Sequence, residues 1–139
     1  MSRMPEHLWR FPTRETIASL ADRFSLPHSP DMQDWEWEVA DADRIDEFLT
    51  VFLSGQLDED QRFVLLETLI QSFDYLGAAL HEDCRWPELL RVVEECIEVH
   101  IYTVWYWADL EGDCDDWAVR PYFREILGRH RSRFERAAE

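Results

Sequence analysis

Two histidines and two cysteines stand at spacings that suit a metal site. His81 and Cys84 are three residues apart and Cys96 and His100 are four apart, which gives the pattern H-x2-C-x11-C-x3-H. Thiolate and imidazole groups bind tetrahedral zinc, and a spacing of four brings Cys96 and His100 onto one face of a helix. The other interpretation is that these are ordinary helix and loop residues, because a free cysteine is commonly a small buried apolar side chain. We favour this second interpretation and expect neither a bound metal nor a cofactor.

Carboxylates offer a second kind of metal chemistry. Glu95 and Glu98 lie one helical turn apart, and Glu111 and Asp115 follow farther along the chain. The pattern E-x-x-E…E-x-x-x-D resembles the all-α nucleotide pyrophosphatases, whose second half is E-x-x-D, and the resemblance implies a Mg²⁺-dependent enzyme. In a chain with 30 acidic residues, such spacings also arise on a solvated helix face, and we favour that interpretation.

The sequence contains no pattern typical of nucleophilic catalysis or of phosphate binding. No serine stands in a sharp turn flanked by glycines, and the four glycines do not form a phosphate-binding loop. We therefore predict a protein without enzymatic activity.

Acidic residues that surround tryptophans indicate protein binding. Tryptophans ringed by polar groups are typical of binding hot spots, and carboxylates complement the Arg and Lys of a partner. The alternative is that the tryptophans pack into the core and the acids cap helices. The partner-binding residues that we predict form two clusters, the first comprising Trp35, Glu36, Trp37, Glu38, Asp41, Asp43, Asp46 and Glu47, and the second Asp113, Asp115, Asp116 and Trp117.

The charge of the chain supports a basic partner. Its 139 residues include 30 acids and 14 arginines but no lysine, for a net charge of -16. Residues 31–116 carry a net charge of -20, whereas the two ends are weakly basic and are expected to fold back on this acidic block. Such a surface repels nucleic acid and anionic membranes and attracts basic proteins, so we expect no direct nucleic-acid or membrane binding.

Cysteine content and hydropathy bear on location. Three cysteines do not make a disulfide framework, and the sequence shows neither a signal peptide nor a stretch of apolar residues long enough to span a membrane. We therefore expect a protein of the cytoplasm. Tyr102, Trp105 and Tyr106 share one helical face, which we interpret as core, with a surface for homodimer formation as the alternative.

Apolar spacing predicts about five helices that position these side chains. The clearest begins with a capping box of Asp58 and Gln61 and has an apolar stripe wide enough for a central position. The fourth contains β-branched and aromatic residues, so we expect a break near His100. The predicted helices cover residues 14–25, 44–54, 59–76, 86–110 and 121–136.

One segment, residues 31–41, does not follow a helical period. Trp35, Trp37 and Val39 alternate with Glu36 and Glu38, which is a period of two. We predict an extended or loop segment that lies against the helices, with a helical turn as the alternative.

Together these patterns predict an all-α protein, a compact bundle of about five helices that forms a single domain over residues 1–139. In size, charge and helical content, the chain resembles the small acidic immunity proteins that bacteria make against antibacterial toxins. The resemblance implies a cytoplasmic protein that occludes a basic toxin, often a nuclease. A nucleic-acid mimic and a helical domain of other function are the alternatives.

Overall fold

A computed structural model describes residues 4–112 and 117–136 of the chain. The fold is all-α, as predicted, and the described residues contain no β-strand. Contacts divide the chain into two compact units, Phe11–Leu76 and the combination of Met1–Arg10 with Gly77–Glu139. The prediction of a single domain stays a prediction, and the two units are described separately below.

The unit Phe11–Leu76 is organised around one long helix. Its α-helices are α1 (Arg14–Phe24), α2 (Trp35–Glu38), α3 (Ile45–Leu53) and α4 (Glu59–Asp74), with a 3₁₀ helix at Ala42–Arg44 before α3. Helix α4 contacts α1, α2 and α3, and its side chains from Phe63 to Ile70 are all buried. Helix α4 is therefore central within this unit, while its central position in a bundle of the whole chain stays a prediction.

Local sequence explains where the helices of this unit begin. The Asp58 carboxylate accepts the backbone N–H of Gln61, while the Gln61 side chain accepts the N–H of Asp58, which is the predicted capping box. The Thr13 hydroxyl accepts the N–H of Thr16 at the start of α1. Helix α1 ends at Ser25, which adopts the left-handed conformation with φ 54°.

The prediction of an extended segment at residues 31–41 is wrong for Trp35–Glu38, which form α2. The structure has the alternative that we gave for this segment, a helical turn. The described residues contain no strand that could pair with an extended segment. The N–H groups of Trp37 and Glu38 instead bond the carbonyl of Asp34, within the segment itself.

The second unit contains three longer helices, α5 (Arg85–Glu95), α6 (Ile97–Ala108) and α7 (Arg120–Arg136). Short 3₁₀ helices lie at Glu6–Leu8 and Gly77–Glu82. Helix α6 packs against both α5 and α7. Of the three aromatic residues interpreted as core, Trp105 is buried, whereas Tyr102 and Tyr106 are half-buried. Trp107 of the same helix is buried as well.

The predicted fourth helix is two helices, and the break lies at Cys96 rather than near His100. Cys96 has φ -115° and ψ 40°, outside the helical region. Helix α6 continues through three residues of weaker helix propensity: His100, Ile101 and Thr103. All three are buried, and tertiary packing of this kind can override propensity. This division and the short α2 account for the difference between five predicted α-helices and the observed set.

Candidate functional site

The structure does not assemble the predicted zinc ligands. His81 and Cys84 are exposed, with the His81 Nδ1 2.6 Å from the carbonyl oxygen of Ala78. Cys96 is half-buried at the break between α5 and α6, and His100 is fully buried in α6. No group of three or more potential metal ligands occurs within residues 4–112 and 117–136. The structure therefore does not bring the four residues of the H-x2-C-x11-C-x3-H pattern together.

Two carboxylates of the pyrophosphatase-like pattern form ion pairs with arginines. The Glu95 carboxylate lies 2.8 Å from Arg91, and the Glu98 carboxylate lies 2.6 Å from Arg133 of α7. Both glutamates are exposed. Asp115 lies outside the described residues. Glu111 is exposed as well. Of the three described glutamates of this pattern, Glu95 and Glu98 therefore pair with arginines at the surface.

Of the first predicted binding cluster, two residues belong to the core. Trp35 is 2 % exposed, and its indole Nε1 donates a hydrogen bond of 2.7 Å to the carbonyl of Pro27. Glu36 is 8 % exposed, and burial raises the pKa of its carboxyl, with Asp34 and Glu38 adding to the rise. Neither side chain is accessible to a protein partner in this conformation, although Trp35 also lines a cleft described below.

Hydroxyl groups of α4 fix the position of α2 and of the residues after it. The Thr68 hydroxyl donates to the carbonyl of Glu36 at 2.7 Å, and the Ser72 hydroxyl accepts the N–H of Asp41 at 2.9 Å. Ser72 in turn donates to the carbonyl of Thr68. Thr68 and Ser72 are buried, so these bonds form away from solvent.

The remaining acids of the first cluster lie at or near the surface. Glu38, Asp43, Asp46 and Glu47 are exposed, and Asp41 is half-buried. Arg44 binds Glu47 through two hydrogen bonds of 2.8 Å and 2.7 Å, which lower the pKa of the Glu47 carboxyl. We use the name acidic face for Glu38, Asp43, Asp46 and Glu47.

The two units differ in how their charges are balanced. The unit Phe11–Leu76 contains fifteen acidic residues and four arginines, a net charge of -11. The other unit contains fifteen acidic residues and ten arginines, a net charge of -5. The acidic residues of Phe11–Leu76 therefore outnumber its arginines by eleven, against five in the other unit.

In the second unit, C-terminal arginines return to the acidic block, as predicted. Arg129 of α7 donates to both oxygens of Glu94 at 2.8 Å, and the His130 Nε2 lies 2.7 Å from Glu94. The Arg129 hydrogen bonds are the main reason that the pKa of Glu94 is lowered to about 2. This cluster joins α5 to α7.

The second predicted cluster is described only in part. Asp113, Asp115 and Asp116 lie outside the described residues. Trp117 is half-buried, 4.9 Å from Trp107 between ring centres, with the Arg120 guanidinium 4.8 Å from its ring. Trp117 thus contacts residues of its own unit over part of its surface.

Two arginines bind the end of α6 and the residues just after it. Arg120 is 1 % exposed and donates to the Asp109 carboxylate at 2.6 Å. Arg124 donates to the carbonyls of Ala108, Asp109 and Gly112 at 2.8, 2.6 and 3.1 Å. These carbonyls lie at and just beyond the C-terminal end of α6, where a positive charge is favourable.

A cleft that the sequence did not reveal opens in the unit Phe11–Leu76. Its volume is about 570 Å³, and apolar residues contribute much of its lining: Pro12, Ile17, Pro30, Met32 and Trp35. Its ionisable residues are Arg14 and His28, both exposed. The available signal was the group of prolines at 12, 27 and 30, which marks irregular chain at both ends of α1.

Comparisons of the chain with known protein families, with curated proteins and with solved structures yield no match. Over the described part of the chain, none of the helices combines the length and hydropathy needed to cross a lipid bilayer.

Proposed function

We propose that this chain is a non-catalytic binding protein that occludes a basic protein partner, and that its biological role is immunity against a bacterial toxin in the cytoplasm. The observation that carries the proposal is the excess of carboxylates in Phe11–Leu76, where fifteen acids accompany four arginines. A net charge of about 2 to 8 in magnitude is sufficient for the solubility of a small domain, and this unit alone exceeds that.

Electrostatics favours a basic partner over other classes of macromolecule. A strongly negative surface speeds association with positively charged proteins. It repels molecules that carry phosphates, such as nucleic acids. A nuclease toxin uses Arg and Lys side chains to bind phosphates, and a carboxylate surface can compete for the same side chains. Occlusion of such a surface requires binding alone.

The acidic face is the contact surface that we propose. Its four carboxylates are exposed on the segment from α2 to α3, and hydroxyls of α4 hold this segment in place. Trp37 is half-buried and supplies an apolar contribution beside them. Trp35 and Glu36, which were also predicted to bind the partner, are buried. Their role in this proposal is to position the segment that carries the acidic face.

The experiment is affinity capture from the native bacterium with the full chain as bait, at about 0.05 M and about 0.5 M salt. We expect a basic protein that is retained at low salt, is released at high salt, and is toxic when produced without this chain. Co-production of this chain should restore growth. Capture that is independent of salt, or a retained protein without toxicity, would contradict the proposal.

A matched pair of variants locates the contact. The variant E38Q/D43N/D46N/E47Q neutralises the acidic face, and E15Q/D22N/D31N/E59Q removes the same charge from other exposed positions of the same unit. We expect the first to weaken binding of the captured toxin by tenfold or more, about 1.4 kcal/mol, and the second to weaken it much less. Equal losses would mean that net charge, rather than the acidic face, determines binding.

A further inference from the structure

The cleft in Phe11–Leu76 has a charge opposite to that of the unit around it. Fifteen of the 66 residues of the unit are acidic, yet no acidic residue lines the cleft. The lining instead contains Arg14, one of four arginines in the unit, and His28, its single histidine. A cation would find no carboxylate ligand there, whereas an anion would meet the guanidinium directly.

Arg14 is available for a ligand. Within the described residues, neither Arg14 nor His28 makes an ion pair or a side-chain hydrogen bond, although Arg44 of the same unit pairs with Glu47. Arginine binds a carboxylate through two parallel hydrogen bonds, and such charge-assisted bonds are stronger than neutral ones.

The walls of the cleft are formed before any ligand binds. The Trp35 indole bonds the carbonyl of Pro27, and the N–H of Met32 bonds the carbonyl of Ser29 in a turn. Pro30 lies within this turn and restricts its backbone further. Such preformed walls reduce the entropy lost on binding.

The size and lining of the cleft define the ligand class. A volume of about 570 Å³ lies in the range of small-molecule sites, about 300 to 1,000 Å³. The apolar walls suit a ring or hydrocarbon chain. Because the unit carries a net charge of -11, repulsion disfavours a multiply charged phosphate more strongly than a singly charged acid.

We propose that this cleft binds a small monocarboxylic acid with an apolar body, with the carboxylate on Arg14 and the body between Ile17, Met32 and Trp35. His28 supplies a second donor at the rim. This site is independent of the proposed basic partner, because it takes a small anion.

The test uses phenylacetate, hexanoate and indoleacetate as probes, each beside its primary amide, with two-dimensional proton–nitrogen NMR of the full chain. We expect the acids to shift the backbone signals of Ser29 and Met32 and the indole signal of Trp35. The best acid should bind about tenfold more tightly than its amide.

Variants separate a specific site from general electrostatics. Arg14→Gln should remove the preference for acid over amide, whereas Arg23→Gln, an equal charge change at an exposed position of the same helix, should preserve it. His28→Asn should weaken binding of the acid to a smaller extent. Circular dichroism of each variant verifies that the helices are intact.

Three results would overturn the proposal. Equal affinity for acids and amides would leave an apolar cavity without anion selectivity. Equal losses in R14Q and R23Q would assign binding to net charge. No shift of cleft signals by any acid at about 10 mM would mean that the cleft binds no ligand of this class.

Discussion

The Glu94 carboxylate contacts two basic side chains at once. Arg129 and His130 both approach its carboxylate, and its pKa is lowered to about 2 from an ordinary value of 4.5. A carboxyl whose pKa is lower in the folded state stabilises that state above the unfolded pKa. The contribution declines as pH falls from about 4.5 and is absent below about 2.

We predict that Glu94→Gln destabilises the protein by about 1–2 kcal/mol at pH 7, a modest value because the pair is partly exposed. The difference from wild type should shrink as pH falls below about 4.5, which urea denaturation at several pH values would measure. Glu95→Gln, whose carboxylate pairs with Arg91 at the surface, is the control and should have a smaller effect. A difference independent of pH would refute this role of Glu94.

Thr68 tests the attachment of α2. Replacing it by valine keeps the shape of the side chain but leaves the buried carbonyl of Glu36 without its hydrogen bond. We predict a loss of about 1–3 kcal/mol in the free energy of unfolding, measured by urea denaturation. Thr50→Val is the control, because the Thr50 hydroxyl bonds a carbonyl on the exposed side of α3. Equal losses of stability in the two variants would contradict a particular contribution of the Thr68–Glu36 hydrogen bond.

At the residue scale, the sequence predicted what depends on near neighbours. The capping box of Asp58 and Gln61 spans three residues and needs no tertiary information. The burial of Trp35 depends instead on the distant Thr68 and Ser72 of α4, which fix the segment from Glu36 to Asp41. The alternation of tryptophan and glutamate was therefore misleading as a signal of an extended segment, since Trp35–Glu38 is helical.

At the scale of elements, helix boundaries set by local signals were predicted, whereas those that depend on tertiary structure were not. Predicted α1, α3, α4 and α7 agree with the structure to within about two residues, because caps and apolar stripes are local signals. The break at Cys96 has no proline or glycine to mark it, so no local signal in the sequence predicts its position. The cleft likewise depends on the turn after α1, whose shape needs the Trp35–Pro27 bond.

The end of α6 gives a prediction at this scale. Arg124 bonds three carbonyls there, so Arg124→Met should lower the free energy of unfolding by about 2 kcal/mol and increase hydrogen exchange near the end of α6. Arg133→Met is the matched control on the same helix, because Arg133 pairs with Glu98 at the exposed surface. Equal destabilisation by the two variants would contradict a capping role for Arg124.

At the scale of the whole molecule, the unequal charge balance of the two units predicts opposite responses to salt. Raising ionic strength from about 0.01 M to about 1 M shortens the Debye length from about 30 Å to about 3 Å. This should relieve repulsion in Phe11–Leu76 and weaken the Arg129–Glu94 pair of the other unit. We predict that salt slows hydrogen exchange in α4 and does not slow it in α7. A uniform change along the chain would contradict this division.

Trp35 links the fold of one unit to its cleft, with a consequence for the substitutions that the chain can tolerate. Phenylalanine would keep much of the buried ring but would leave the Pro27 carbonyl without its donor, and histidine or tyrosine could not fill the same space. Variants that alter ligand preference are therefore expected to accumulate at Arg14, Ile17 and Met32 rather than at position 35. Specificity of the cleft can change across descendants of this sequence while its frame stays the same.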